Sequence, residues 1–220
     1  MREAYHDQLG DLANHLADMC GMVATAMERA TTALLEADLA LAEQVISDDL
    51  KVDEARTAYE EEAYALLALQ APVATDLRTV LAVIHAAESL ERMGDLAQHV
   101  AKASRRQHPK HVLPEDVAPY FRQMGEIAVS LAHKAEQVIR DQDAELGRTL
   151  DDEDDEMDNL HRHLFTVIMD RDWQHGVAAA VDVTLLGRFY ERYADHAVSV
   201  AKRTVFVVTG RMPGSDQFDI

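Results

Sequence analysis

The chain predicts an all-α protein made of two tandem three-helix bundles related by a pseudo-two-fold axis. Three observations carry that expectation. Ala, Leu, Glu and Asp dominate the 220 residues, and only five prolines and nine glycines interrupt them, a composition that favours helix over strand. Apolar residues recur at spacings of three and four over long stretches, as on a helix with one buried face. The chain also repeats itself. Glu91-Arg92-Met93-Gly94-Asp95 returns one hundred residues later as Glu191-Arg192-Tyr193-Ala194-Asp195, and each copy runs on to Val-Ala-Lys, ending at Lys102 and Lys202. A repeat of that period implies two similar units.

The first predicted helix spans about Tyr5 to Glu36, where Leu9, Leu12, Leu16, Met19, Val23, Met27, Ala30 and Leu34 keep one face apolar. The pattern breaks at Ala37, and Asp38 is placed to cap a second helix. That helix runs to about Gln70 and carries Asp49 and Asp53; Pro72 ends it. A third, from about Ala74 to Arg105, leads through Leu77, Val80, Leu81 and Ile84 down to Glu91 and Asp95. Pro109, Pro114 and Pro119 then mark a boundary. Residues 4–105 are therefore expected to form the first unit, 106–115 a linker and 116–210 the second unit. Pro114-Glu115-Asp116 reads as a helix start with acids in its first turn.

Beyond the break the first half replays at an offset of 105. Leu16, Met19, Met22, Ala26, Ala30 and Leu34 align with Phe121, Met124, Ile127, Leu131, Ala135 and Ile139. Asp38 aligns with Asp143, Asp49 with Asp154, and Asp53 with Asp158. The offset falls to 100 for the last helix, about Val177 to Thr209, so the second unit is expected to have a connection five residues shorter, at Asp170 to Gly176. Gly210 stops that helix, and 211–220 is expected to be a flexible tail. Each helix has one apolar face to bury, so three joined by short turns pack as an antiparallel bundle.

Forty acidic residues against 21 basic ones give a formal charge of −19. Such a surface argues against direct nucleic-acid or membrane-surface binding and favours cations, or a basic patch on a protein partner. No apolar run approaches the ~18 residues that cross a bilayer, and Met1-Arg2-Glu3-Ala4-Tyr5-His6-Asp7 has no apolar signal core, so a cytoplasmic protein is expected. The lone Cys20 falls on an apolar stripe and reads as a buried small hydrophobe in a reducing compartment. Met19, Met22, Met27, Met93, Met124, Met157 and Met169 read as core fillers, and Trp173 as packed at a turn.

Two residues four apart on a helix stand one above the other. Asp49 with Asp53, and Glu91 with Asp95, therefore each present two carboxylates on one face, as do Asp154 with Asp158 and Glu191 with Asp195. In a chain this acidic, roughly seven such pairs arise by chance, so a lone pair carries nothing and a solvated acidic face explains it. The recurrence of both pairs at aligned positions, on adjacent helices that run antiparallel, is the informative part. Four carboxylates brought together repel one another when ionised, and hard divalent or trivalent cations relieve that penalty. Both readings, acidic face and cation site, stand on spacing alone. Arg92 and Arg192, next to the glutamates, are candidates for holding the carboxylates in place or for ordinary surface ion pairs. His99 and His196 lie on the same helices and are candidate supplementary ligands; His161 and His163, two apart, point to different faces.

No Gly-rich phosphate loop, no paired Cys-x-x-Cys and no nucleophile in a triad context occurs in the chain. Di-iron carboxylate bundles need two Glu-x-x-His motifs, and Glu3-Ala4-Tyr5-His6 is the only one. A carboxylate-metal enzyme, an oxidase or phosphohydrolase, is kept as the alternative to a non-enzymatic regulator.

Leu66-Leu67-Ala68-Leu69-Gln70-Ala71-Pro72-Val73-Ala74-Thr75-Asp76-Leu77-Arg78, followed by Leu90-Glu91-Arg92-Met93-Gly94-Asp95 and by Tyr190-Glu191-Arg192-Tyr193-Ala194-Asp195-His196-Ala197, resembles the PhoU family over about Tyr5 to Gly210. The resemblance implies two three-helix bundles and a non-enzymatic role as a negative regulator of phosphate uptake and of the phosphate-starvation response. It implies an adaptor between the PstSCAB transporter, through its ATPase PstB, and the sensor kinase PhoR. It further implies a homodimer in the cytoplasm, recruited to the membrane through protein partners. It also implies clusters of iron, zinc, manganese or magnesium on Asp49, Asp53, Glu91 and Asp95 and on Asp154, Asp158, Glu191 and Asp195. The two sites are not identical: Glu88 is matched by Arg188, and Asp76-Leu77-Arg78 by Gly176-Val177-Ala178.

Overall fold

A computed structural model describes residues 2–211 and contains six helices: α1 (Arg2–Glu36), α2 (Leu39–Gln70), α3 (Ala74–Gln107), α4 (Ala118–Asp141), α5 (Ala144–Ile168) and α6 (Gly176–Thr209). The flexible tail expected over 211–220 lies, beyond residue 211, outside the described residues. The fold is all-α, two antiparallel three-helix bundles in tandem. The repeat shows first at the caps. Asp38 accepts a hydrogen bond from the Leu41 N–H at 3.0 Å, and Asp143, its counterpart, accepts from the Glu145 and Leu146 N–H groups at 3.0 Å each. Each satisfies N–H groups that the helix cannot, worth about 1 kcal/mol. The residue just before each cap, Ala37 and Gln142, turns the chain with a left-handed backbone, φ 54° and 51°.

Three sequence expectations need correction. Pro114-Glu115-Asp116 forms a turn rather than a helix start; α4 opens at Ala118, with Pro119 in its first turn, where a missing N–H costs nothing. The second unit is shortened in its helix, not its connection: α5 has 25 residues against 32 in α2, while the link to α6 is longer than that from α2 to α3. Met169, just past the end of α5, is 81% exposed and fills no core. Met19, Met27, Met93, Met124 and Met157 are buried as expected, and so is Cys20. Trp173 packs at the α5–α6 turn, its Nε1 donating to the Gly176 carbonyl at 3.0 Å.

The two bundles share one core. α1 packs on α4 as well as on α2 and α3, and α6 packs on α3 as well as on α4 and α5. The four helices α1, α3, α4 and α6 thus enclose the centre, and α2 and α5 lie outside them. Tyr190 stands at the junction, fully buried. Its hydroxyl shares a 2.8 Å hydrogen bond with Thr31 of α1, and its ring meets Phe121 of α4 edge-on at 5.8 Å. Gly125 permits this approach: a Cβ there would fall 2.6 Å from Thr31 Cγ2. Ser104 ties α3 to α1 by donating to the Ala33 carbonyl at 2.7 Å.

Candidate functional site

Each unit carries its acidic residues on the seam between its outer helix and its last helix. In the first unit, Asp49 of α2 is 9% exposed and is turned toward α3. Gln98 of α3 donates to Asp49 Oδ2 at 2.6 Å. The helices approach closely because residue 94 is glycine: a Cβ there would lie 3.0 Å from Asp49 Oδ1 and 3.3 Å from Val52 Cγ1. Burial pushes the Asp49 carboxyl up to about 6, and the charges of Asp53, Asp95 and Glu91 add to the rise, against a pull downward from Lys102. Glu91 is raised as well, by burial first and then by Asp95, with Asp53 adding and Arg92 and Arg56 opposing. All four predicted carboxylates therefore lie within electrostatic reach of one another.

The second unit repeats the arrangement. Burial pushes the Asp154 carboxyl of α5 up to about 6, helped by Asp195, Asp158 and Asp151 and opposed by Lys202. Glu191 of α6 is raised by burial and then by Asp195, with Arg188 opposing and Asp158 adding. Its Oε2 is buried without a hydrogen-bond partner. A buried carboxylate oxygen left unpaired costs about 1–3 kcal/mol or more, a cost that a cation or donor reaching it would relieve.

Eight hard oxygen-bearing side chains, crowded and mutually repelling, suit cations such as magnesium, manganese or ferric iron, and also zinc. No group of three or more His, Cys, Asp or Glu side chains among the described residues already stands in metal-holding geometry. Basic and amide side chains engage four of the eight carboxylates. Arg92 holds Asp95 at 2.9 Å and Glu91 at 3.5 Å, Arg188 holds Glu191, and Gln98 holds Asp49.

The basic residues at the two sites are not symmetric. Arg92 braces its carboxylates as the sequence suggested, but Arg192 pairs with none of the second set; Arg188, the residue that replaces Glu88, does so instead. Gln98 was not singled out in the sequence, and Lys102 and Lys202 stood there only as the ends of the repeat. The recurrence of Lys at 102 and 202 was the available signal: Lys102 offsets the charge of Asp49, and Lys202 holds Asp151 at 2.6 Å. His99 and His196 are turned into the α3–α6 seam, where His99 leans on Phe189 at 5.3 Å and His196 is held below its ordinary pKa by burial and then by Arg192. His161 packs against Phe165 and His163 against Tyr120, on different faces.

Comparison with known proteins follows the repeat. The PhoU domain matches twice, over residues 16–104 and 121–204. The chain is 58% identical to the phosphate-specific transport system accessory protein PhoU homolog 2 of Mycobacterium tuberculosis, over 97% of this chain and 100% of that one. It is 57% identical to PhoU homolog 1 of Mycobacterium leprae, over 98% and 97%. Crystal PhoU from Pseudomonas aeruginosa superposes with a TM-score of 0.83 at 26% identity, covering 94% of this chain and all of that one. The phosphate transport system regulatory protein PhoU of Streptococcus pneumoniae, at 24% identity, shares the fold with a TM-score of 0.85 over 94% and 98%. Two domain matches that coincide with the two structural repeats, together with relatives of high identity along the whole chain, place it: the chain belongs to the PhoU family.

Proposed function

We propose that the chain is a non-enzymatic accessory and regulatory protein of phosphate transport. It restrains phosphate uptake and the phosphate-starvation response as an adaptor between the transporter ATPase PstB and the sensor kinase PhoR. It acts as a homodimer on the cytoplasmic side, reaching the membrane through those partners; no helix among the described residues is long and apolar enough to cross one. The observation that carries the reading is full-length identity of 58% to proteins named for that accessory role. The carboxylate sets add a mechanism. Asp49, Asp53, Glu91 and Asp95, and separately Asp154, Asp158, Glu191 and Asp195, would hold divalent or trivalent cations, and the neutralised faces would dock the partners. When bound, the cation supplies charge neutralisation and open coordination positions for oxygen ligands.

The reading is tested by deleting the gene and following a phosphate-starvation reporter, then mixing the purified chain with the ATPase and with the kinase in high and low phosphate. Derepression at high phosphate and phosphate-dependent retention of both partners are expected. A reporter that ignores the deletion, or retention of neither partner, overturns the adaptor reading.

A further inference from the structure

The chain has almost twice as many acids as bases, yet one groove reverses the balance. Two adjoining clefts of about 380 and 570 Å³ run along the seam between α3 and α6 and share His99 and Phe189. Six of the 21 lysines and arginines line them, against two of the 40 acids. From Arg92 to Arg106 the basic edge of α3 extends ~21 Å at 1.5 Å per residue, about four helical turns. The lining is also apolar: Leu96 and Leu186 are buried in it, Phe189 is partly covered, and Leu185 is 47% exposed. Most of the bases already have a carboxylate nearby. Arg106 pairs with Asp182 at 2.5 Å, Arg105 with Glu43 at 3.4 Å, and Arg92 and Arg188 with the carboxylate sets. Arg192 has no carboxylate within ion-pair distance among the described residues.

We propose that the α3–α6 groove is a docking site for an acidic amphipathic helix of a protein partner. The proposal rests on the adaptor reading and names the chemistry of what is adapted. A groove between two antiparallel helices receives a third through apolar residues at i, i+3 or i+4, and i+7. Here Leu185 and Phe189 meet those residues, and Arg192 and Lys102 meet acids on the flanks. Charge complementarity selects the occupant. The net charge of −19 repels an anionic lipid sheet. A small oxyanion would leave the apolar lining unused.

The test uses the full chain in chelator and a fluorescent 16-residue peptide with Leu on one helical face and Glu on both flanks, read by anisotropy. Saturable binding is expected, weakened several-fold between 50 and 300 mM salt. The twin peptide with Lys for Glu should not bind. Arg192→Glu and Leu185→Asp should each weaken binding at least tenfold, and both should melt like wild type because neither side chain is buried or ion-paired. Arg171→Glu, on the α5–α6 connection, makes the same charge change away from the groove and should leave binding unchanged. Three results overturn the proposal: equal binding of the two peptides, no greater loss in Arg192→Glu than in Arg171→Glu, or pelleting with phosphatidylglycerol vesicles that Arg192→Glu abolishes. In cells, a double variant that loses the peptide yet still represses the reporter removes the groove as the partner's site and leaves the adaptor reading standing. Loss of repression in that variant supports both.

Discussion

Asp49 and Asp154 show how much of the site resides in single side chains. Each carboxyl is raised from 3.8 to about 6, by burial first and then by neighbouring carboxylates. An acid whose folded pKa exceeds its unfolded value keeps its proton longer in the folded chain. Between 3.8 and about 6 the folded state then binds more protons than the unfolded one, and stability falls as pH rises through that window. Asp49→Asn keeps an oxygen to accept from Gln98 and removes the charge. In chelator the variant should melt above wild type at pH 7, with the difference shrinking to nothing near pH 4, as followed by thermal melts across that range. A difference that does not vary with pH would mean that Asp49 is ionised without cost. The spacing of Asp49, Asp53, Glu91 and Asp95 made their convergence legible. The bracing was less so, because which arginine reaches a carboxylate depends on packing across helices. Arg192 follows Glu191 directly and still pairs with none of that set, while Arg188, one turn earlier, takes the role.

Helices and their junctions were the most legible elements, because apolar period, proline and capping aspartate all act locally. The shortened α5 was not legible. An offset that falls from 105 to 100 records a net deletion, and it does not say whether helix or loop absorbed it. The left-handed junctions were hidden as well, since alanine and glutamine do not announce positive φ. They lead to a prediction. At Gln142, φ 51° and ψ 37°, a residue with a Cβ bears a steric cost that glycine avoids. Gln142→Gly should therefore stabilise the fold by about 0.5–1 kcal/mol after glycine's own entropy loss, seen as a rise in the melting temperature. Gly94 is the opposite case. Gly94→Ala places a Cβ against Asp49 and Val52, so α2 must move off α3. A net loss of about 1 kcal/mol is expected, with overpacking outweighing alanine's helix preference. A chemical denaturation midpoint lowered without a change in slope checks it.

At the scale of the whole molecule, the feature the repeat concealed is fusion. A sequence that says the same thing twice suggests two bodies. The faces of α1 and α6 that meet the other unit, through Thr31 and Tyr190, look like ordinary helix face until the bundles are brought together. One core implies one unfolding event, so calorimetric and van't Hoff enthalpies should agree despite the two units. A cation held at either carboxylate set would then act on the entire protein. A ligand bound only by the folded chain at one hundred times its Kd adds about 2.7 kcal/mol, which for a protein of this size is roughly 5–10 °C. Manganese or ferric iron added to chelator-treated protein should therefore raise a single melting transition. Glu191→Ala, which removes the unpartnered buried oxygen and leaves Asp49, Asp53, Glu91 and Asp95 untouched, should lose about half the rise while the transition stays single. Two separated transitions would show that the units unfold independently. An unchanged melting curve in wild type would show that these crowded carboxylates are an acidic surface and hold no ion.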